Sequence, residues 1–176
     1  MESFIHDWGY IALFLYSFGG GMLGIAVAAV FAATGELNIY TVLVVATVAN
    51  TIGDQFLFTM ARNNKSHAKE MMQKYKRKIA LAHLMMRKYG SVTILLQKYV
   101  YGIKTLIPLS IGLTKFDGKK FFIFNLIGAI IWSLVVGLSA YLLGDVFLSS
   151  VEEFKTYGIV FLITLIFLIT YFLNKD

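Results

Sequence analysis

The chain has no cysteine, which excludes disulfides, thiol catalysis and cysteine-ligated zinc or iron–sulfur sites. Its three histidines, His6, His67 and His83, are scattered and form no metal-ligand spacing. The sequence offers no nucleophile–base pair, metal cluster or glycine-rich phosphate loop, so enzymatic chemistry on a lipid phosphate has no residues to carry it. No cofactor and no metal are expected. The amino-terminal MESFIHDWGY lacks the positive first region of a cleaved signal peptide and is expected to stay in the mature protein. Charge is scarce as well: 15% of residues are charged against 58% hydrophobic. With a mean hydropathy of +0.72, 176 residues are too apolar for a soluble domain and read as one all-α integral membrane domain.

What charge there is has a place. Nine of the sixteen basic residues lie between Arg62 and Lys88, with the single acid Glu70 among them. A basic block flanked by membrane segments marks a cytoplasmic loop, so the net charge of +6 does not point to nucleic acid. Within that block, Ala68, Met71, Met72, Tyr75, Ile79 and Ala82 recur with helical period among the lysines. Residues 63–89 are therefore expected to form an amphipathic helix on the cytoplasmic membrane surface. A soluble helical loop with a solvated charged face is the alternative.

Two apolar stretches are interrupted. The first, residues 8–34, is broken by Gly19, Gly20 and Gly21 into halves shorter than the ~20 residues needed to span. It is either one kinked crossing or a re-entrant hairpin. The second, residues 91–114, is broken by Gly102 and by Pro108, the only proline. It also carries Lys98 and Lys104. A lysine at membrane depth costs roughly 2.5–3.5 kcal/mol on insertion scales, and broken backbone there is tolerated only inside protein or beside water. A spanning segment follows each stretch, residues 38–61 and 121–143. A third apolar segment, residues 157–173, reads as a last crossing.

The interrupted stretches look like copies: WGYIALFLYSFGGG sits over KYGSVTILLQKYVYG, pairing Gly9 with Gly90, Ser17 with Lys98 and Gly21 with Gly102. The organisation is thus repeat 1 (8–62), an amphipathic linker (63–89), repeat 2 (90–144) and the last helix. Interrupted segment plus span, repeated, points to a transporter-like site. With residues 62–88 in the cytoplasm, two hairpins of opposite orientation place Lys115, Lys119 and Lys120 there too, and Glu2, Asp7 and Glu36 outside. The expected fold is two opposed re-entrant hairpins, about three spanning helices and the cytoplasmic amphipathic helix.

In the first span, Asn50, Thr51 and Asp54 share one helical face, and Arg62 follows about 12 Å further along that stripe. Asp54 is either one half of a structural ion pair or a coupling acid. The run KYVYGIKTLIPLSIGL, then NLIGAIIW, together with Gly53–Asp54 through Phe58 to Arg62, resembles the DedA family of VTT-domain (SNARE-associated Golgi protein) membrane proteins. The likeness covers residues 8–144. Lys98 and Lys104 stand where the family usually has arginines, and Tyr101 where it has its first proline. The acids usual in the first hairpin, implicated in proton coupling, are missing; Ser17 and the glycine run occupy that region. Lysine keeps the charge but loses the bidentate fork.

The resemblance implies lipid translocation in a bacterial inner membrane: members move undecaprenyl phosphate or phospholipids, and eukaryotic relatives scramble lipids. On that reading Lys98 and Lys104 offset the phosphate charge, helped by the helix start near Pro108, and Gln97, Tyr99, Tyr101 and Thr105 hydrogen-bond its oxygens. Gly19–Gly21 allow the facing hairpin to approach. Asn125 and Trp132 orient helices. The bland counterpart has both lysines snorkelling, or neutralising Asp54. A second function class is a non-transporting scaffold for envelope assembly that binds a partner through Met71, Met72, Met85 and Met86; a third is a small-ion or solute transporter. The partners expected are membrane lipids with anionic phosphate headgroups, and a homo-oligomer is compatible with any of these.

Overall fold

A computed structural model of the chain describes residues 2–19, 21–66, 70, 73, 75–100 and 104–144. The expected last crossing at residues 157–173 lies outside the described residues, as do Gly20, Ala68, Met71, Met72, Tyr101 and Gly102. The described elements are helices: α1 (Glu2–Phe18), α2 (Met22–Ala33), α3 (Ile39–Asn63), α4 (Lys76–Tyr89), α5 (Val92–Leu96), α6 (Leu106–Gly112) and α7 (Gly118–Gly144). A single 3₁₀ turn, Gln97–Tyr99, continues α5.

Among the described residues, helices α3 and α7 are the two long and apolar enough to cross a membrane, at 25 and 27 residues. At 1.5 Å per residue they extend roughly 37 and 40 Å, against a hydrocarbon core of about 30 Å. Each starts on a side-chain cap. Asn38 Oδ1 accepts from the Tyr40 and Thr41 amides at 2.9 and 3.2 Å, and Asp117 Oδ1 accepts from the Lys120 amide at 2.8 Å. The two helices run antiparallel. Phe58 stacks on Phe121 with ring centroids 4.2 Å apart. Asn125 Nδ2 donates to the Thr51 carbonyl at 3.0 Å, and the Thr47 and Ser133 hydroxyls meet at 2.6 Å.

Helices α1 and α2 fold back on each other. The Asn38 amide donates to the Tyr10 hydroxyl at 2.9 Å, so the hairpin enters and leaves near the amino-terminal end of α3. Its turn lies against the middle of α3, where a Cβ on Gly53 would collide with the Phe18 carbonyl. Only glycine lets the backbones meet there.

The second hairpin approaches from the other end. Gly90, at φ +55°, closes α4 and redirects the chain into α5. Gly128 of α7 admits the α5 backbone at Leu95 and the Lys98 stem. After α6 the chain returns to the carboxy-terminal end of α3, where Arg62 Nη2 donates to the Thr114 carbonyl at 3.3 Å and to the Phe116 carbonyl. The Arg62 guanidinium also lies 4.4 Å from the Phe58 ring centre. Lys115, Lys119 and Lys120 therefore sit at the same end of the bundle as Arg62.

Part of the amphipathic region packs on the protein. Ala82 is fully buried, Ile79 packs beside Leu106 and Leu109, and Met85 and Met86 pack beside Ile107 and Phe121. Of the residues expected on the lipid-facing side, Ile79 and Ala82 thus meet the second hairpin, while Tyr75 is 43% exposed. The same packing occupies Met85 and Met86, two of the four methionines assigned to a partner surface.

Candidate functional site

The tips of both hairpins reach the level of residues 50–54 on α3. There the chain buries a lysine. Lys98 is 4% exposed in the 3₁₀ turn that continues α5, and its ammonium donates to Asp54 Oδ2 at 2.7 Å, Asn50 Oδ1 at 2.5 Å and Asn125 Oδ1 at 2.8 Å. An ammonium has three N–H donors, and each has an acceptor here. Two of the acceptors come from α3 and one from α7, so a single side chain ties the second hairpin to both long helices. A buried charge of this kind is tolerated because its counter-charge and hydrogen bonds are complete; removing one partner typically costs about 3–5 kcal/mol.

Asp54, 3% exposed, also accepts from Gln97 Nε2 at 3.3 Å. Asn125 bridges in both directions, accepting from Lys98 while donating to α3. It was expected to orient helices; here it also ligates the lysine.

Lys104 occupies a second place. Its Nζ lies 4.6 Å from the centre of the Trp132 ring, over the indole face. Trp132 is fully buried in the cluster that includes Leu13, Ile25 and Ala46, which belong to the first hairpin and α3. Lys104 thus carries a cation from the second hairpin onto the surface of the core built by the first. Such contacts contribute roughly 0.5–2 kcal/mol, more when desolvated.

The remaining site residues spread out. Pro108 is buried as the third residue of α6, within the first turn, where the amide it lacks has no intrahelical partner. Thr105 precedes α6 and is exposed, and Tyr99 is 45% exposed. Gly19 follows α1, and Gly21 caps α2 with its amide bonded to the Tyr16 carbonyl at 3.1 Å. Arg62 lies at the α3 terminus on backbone carbonyls and the Phe58 ring, two turns beyond Asp54.

Asn50 and Ser17 were not among the expected site residues. Asn50 shares the Asp54 face at i, i+4, a spacing that made it legible as a co-ligand. Ser17, paired with Lys98 by the internal repeat, is fully buried at the first hairpin tip. Among the described residues, the Ser17 hydroxyl, Asn50 Nδ2, Gln55 Oε1, the Thr93 hydroxyl, Gln97 Oε1 and Trp132 Nε1 are buried without a hydrogen-bond partner. Orphaned polar atoms cost about 1–3 kcal/mol each. Asn50 and Gln97 stand beside the Lys98–Asp54 pair.

The VTT domain model matches residues 5–142. Protein DedA of Escherichia coli K12 is 26% identical over 161 residues, covering 79% of this chain and 70% of its own. Inner membrane protein YohD of the same organism is 25% identical over 146 residues, covering 83% and 76%. Undecaprenyl phosphate transporter A of Staphylococcus aureus is 24% identical over 188 residues, covering 98% and 92%. No solved structure matches. With its two long apolar helices and a family match across most of its length, the chain is a membrane protein of the VTT-domain, or DedA, family.

Proposed function

We propose that the protein is a lipid transporter of the flippase or scramblase type. It moves a phosphate-bearing lipid, undecaprenyl phosphate or a glycerophospholipid, across a bacterial cytoplasmic membrane. The observation that carries this reading is the Lys98 ammonium, buried between the second hairpin, α3 and α7 and saturated by Asp54, Asn50 and Asn125. The name of the Staphylococcus aureus relative supports the choice of substrate class. In this reading each hairpin is re-entrant, entering and leaving the bilayer on one side, and α3 and α7 span it.

The chemistry follows from the saturation. A phosphate crossing a bilayer needs a cation to offset its desolvation while its tails stay in lipid. Lys98 has no donor left for it until Asp54 lets go. Protonating Asp54 neutralises the acceptor and frees the ammonium, so proton binding at Asp54 and phosphate binding at Lys98 favour each other. Asp54 then takes the coupling role that the missing first-hairpin acids leave open. Lys104, seated on Trp132, supplies the second positive charge. Gln97, Tyr99, Tyr101 and Thr105, with the orphaned Asn50 Nδ2, complete the polar path.

The test is transbilayer movement of defined lipids by the purified protein in liposomes, comparing the native chain with Lys98→Gln and Lys104→Gln. Movement by the native chain and loss in both folded variants supports the reading. Retained movement in both neutral variants rules it out.

A further inference from the structure

Helix α4 has more apolar surface than the fold uses. Its inward face is accounted for by Ile79, Ala82, Met85 and Met86, which pack on the second hairpin. Leu81 and Leu84 lie off that face and are 44% and 57% exposed. They align with Arg77 and Lys88 at i, i+4, i+7 and i+11, so one outward stripe reads cation, leucine, leucine, cation. Both cations are exposed, and beside the stripe runs a second exposed row of Lys76, His83 and Arg87. The helix contains no acid. Tyr75 and Tyr89, at its two ends, are 43% and 45% exposed. Aromatic ends, a short leucine stripe and a basic flank are what a helix lying in a membrane interface presents.

We propose that this outward stripe of α4 is a docking surface for the anionic phospholipid of the leaflet at the basic end of the bundle. Leu81 and Leu84 enter the acyl boundary, and Arg77, Lys88 and the flanking row bind headgroup phosphates. The occupant is fixed by charge complementarity: five basic residues and no acid line the helix, which disfavours a neutral lipid or a basic partner. The consequence is mechanical. The opposite face of α4 is packed on the hairpin that carries Lys98, so headgroup binding holds that hairpin against the leaflet. This surface lies outside the Lys98 site and stands whether or not the protein moves lipids.

The natural absence of cysteine makes the test direct. Full-length protein with Leu84→Cys, or with Thr34→Cys as control in the exposed α2–α3 connection away from α4, is labelled with an environment-sensitive dye. It is placed in nanodiscs of phosphatidylcholine with increasing phosphatidylglycerol, and iodide quenching is followed. The Leu84 dye becomes shielded as phosphatidylglycerol rises, while the Thr34 dye stays accessible. High salt reverses the shielding, and Arg77→Gln raises the phosphatidylglycerol needed about fivefold, the effect of one basic residue at a charged surface. Equal quenching at both positions in phosphatidylglycerol overturns the proposal. So does shielding that is the same in pure phosphatidylcholine and unaffected by salt, or shielding that arises only when a second protein is added.

Discussion

Lys98 Nζ lies 2.7 Å from Asp54 Oδ2, and this ion pair fastens the tip of the second hairpin to the middle of α3. Both groups are buried, so each is the other's nearest counter-charge. The pair is both a structural tie and the element that a charged substrate must compete with.

Breaking one side of the pair therefore destabilises the fold. Asp54→Leu leaves the ammonium with two neutral acceptors and is expected to lower unfolding stability by about 3–5 kcal/mol. The double change Asp54→Leu with Lys98→Met restores most of it by removing both charges. Thermal unfolding of the detergent-purified variants measures this. A single variant as stable as the native chain contradicts the pairing.

The seat of Lys104 separates aromaticity from bulk. Trp132→Phe keeps a π face under the ammonium, whereas Trp132→Leu removes it, a difference of roughly 0.5–2 kcal/mol at the cation. In a liposome assay the leucine variant is expected to need more lipid substrate for half-maximal movement than the phenylalanine variant. Equal behaviour of the two folded variants places the role of Trp132 in packing alone.

Gly53 predicts a contrast with another glycine. A Cβ there collides with the Phe18 backbone carbonyl, which cannot rotate away, so Gly53→Ala pushes the first hairpin off α3. Overpacking of this kind typically costs about 1–3 kcal/mol. At Gly118 the nearest atoms to a Cβ are side-chain atoms 3.6 Å away, and alanine is expected to be tolerated. Melting temperatures of the two variants give the comparison.

Arg62 holds the return of the second hairpin by two backbone carbonyls and a ring face. Replacing it with glutamine is expected to speed amide hydrogen exchange across residues 113–117 while leaving the centre of α3 protected. Unchanged exchange there shows that the loop is held by other contacts.

Much of this arrangement could be read in the chain. The breaks at Gly19–Gly21 and at Gly102 and Pro108 left a kinked crossing or a hairpin open for the first stretch, and the placement of basic residues favoured two hairpins. The i, i+4 spacing of Asn50 and Asp54 announced a polar face. Asp54 was one partner the sequence offered Lys98, but the full acceptor set was not legible: only the meeting of α3, α5 and α7 adds Asn50 and Asn125. Lys104 over Trp132 joins residues whose proximity depends on the hairpin folding back, so no local pattern betrays it. In α4 the helical period was visible, but periodicity fixes which residues share a face and not whether that face meets lipid or protein. Ala82 is fully buried and Leu84, two positions on, is 57% exposed.

The most direct test of the central account couples the proton to the lipid. Movement of undecaprenyl phosphate and of phosphatidylethanolamine is followed in liposomes with and without a pH gradient, for the native protein, Asp54→Asn and Lys98→Gln. The account predicts gradient-stimulated movement of one lipid by the native chain, movement that no longer responds to the gradient in Asp54→Asn, and none in Lys98→Gln. Undiminished, gradient-sensitive movement by folded Lys98→Gln would contradict it.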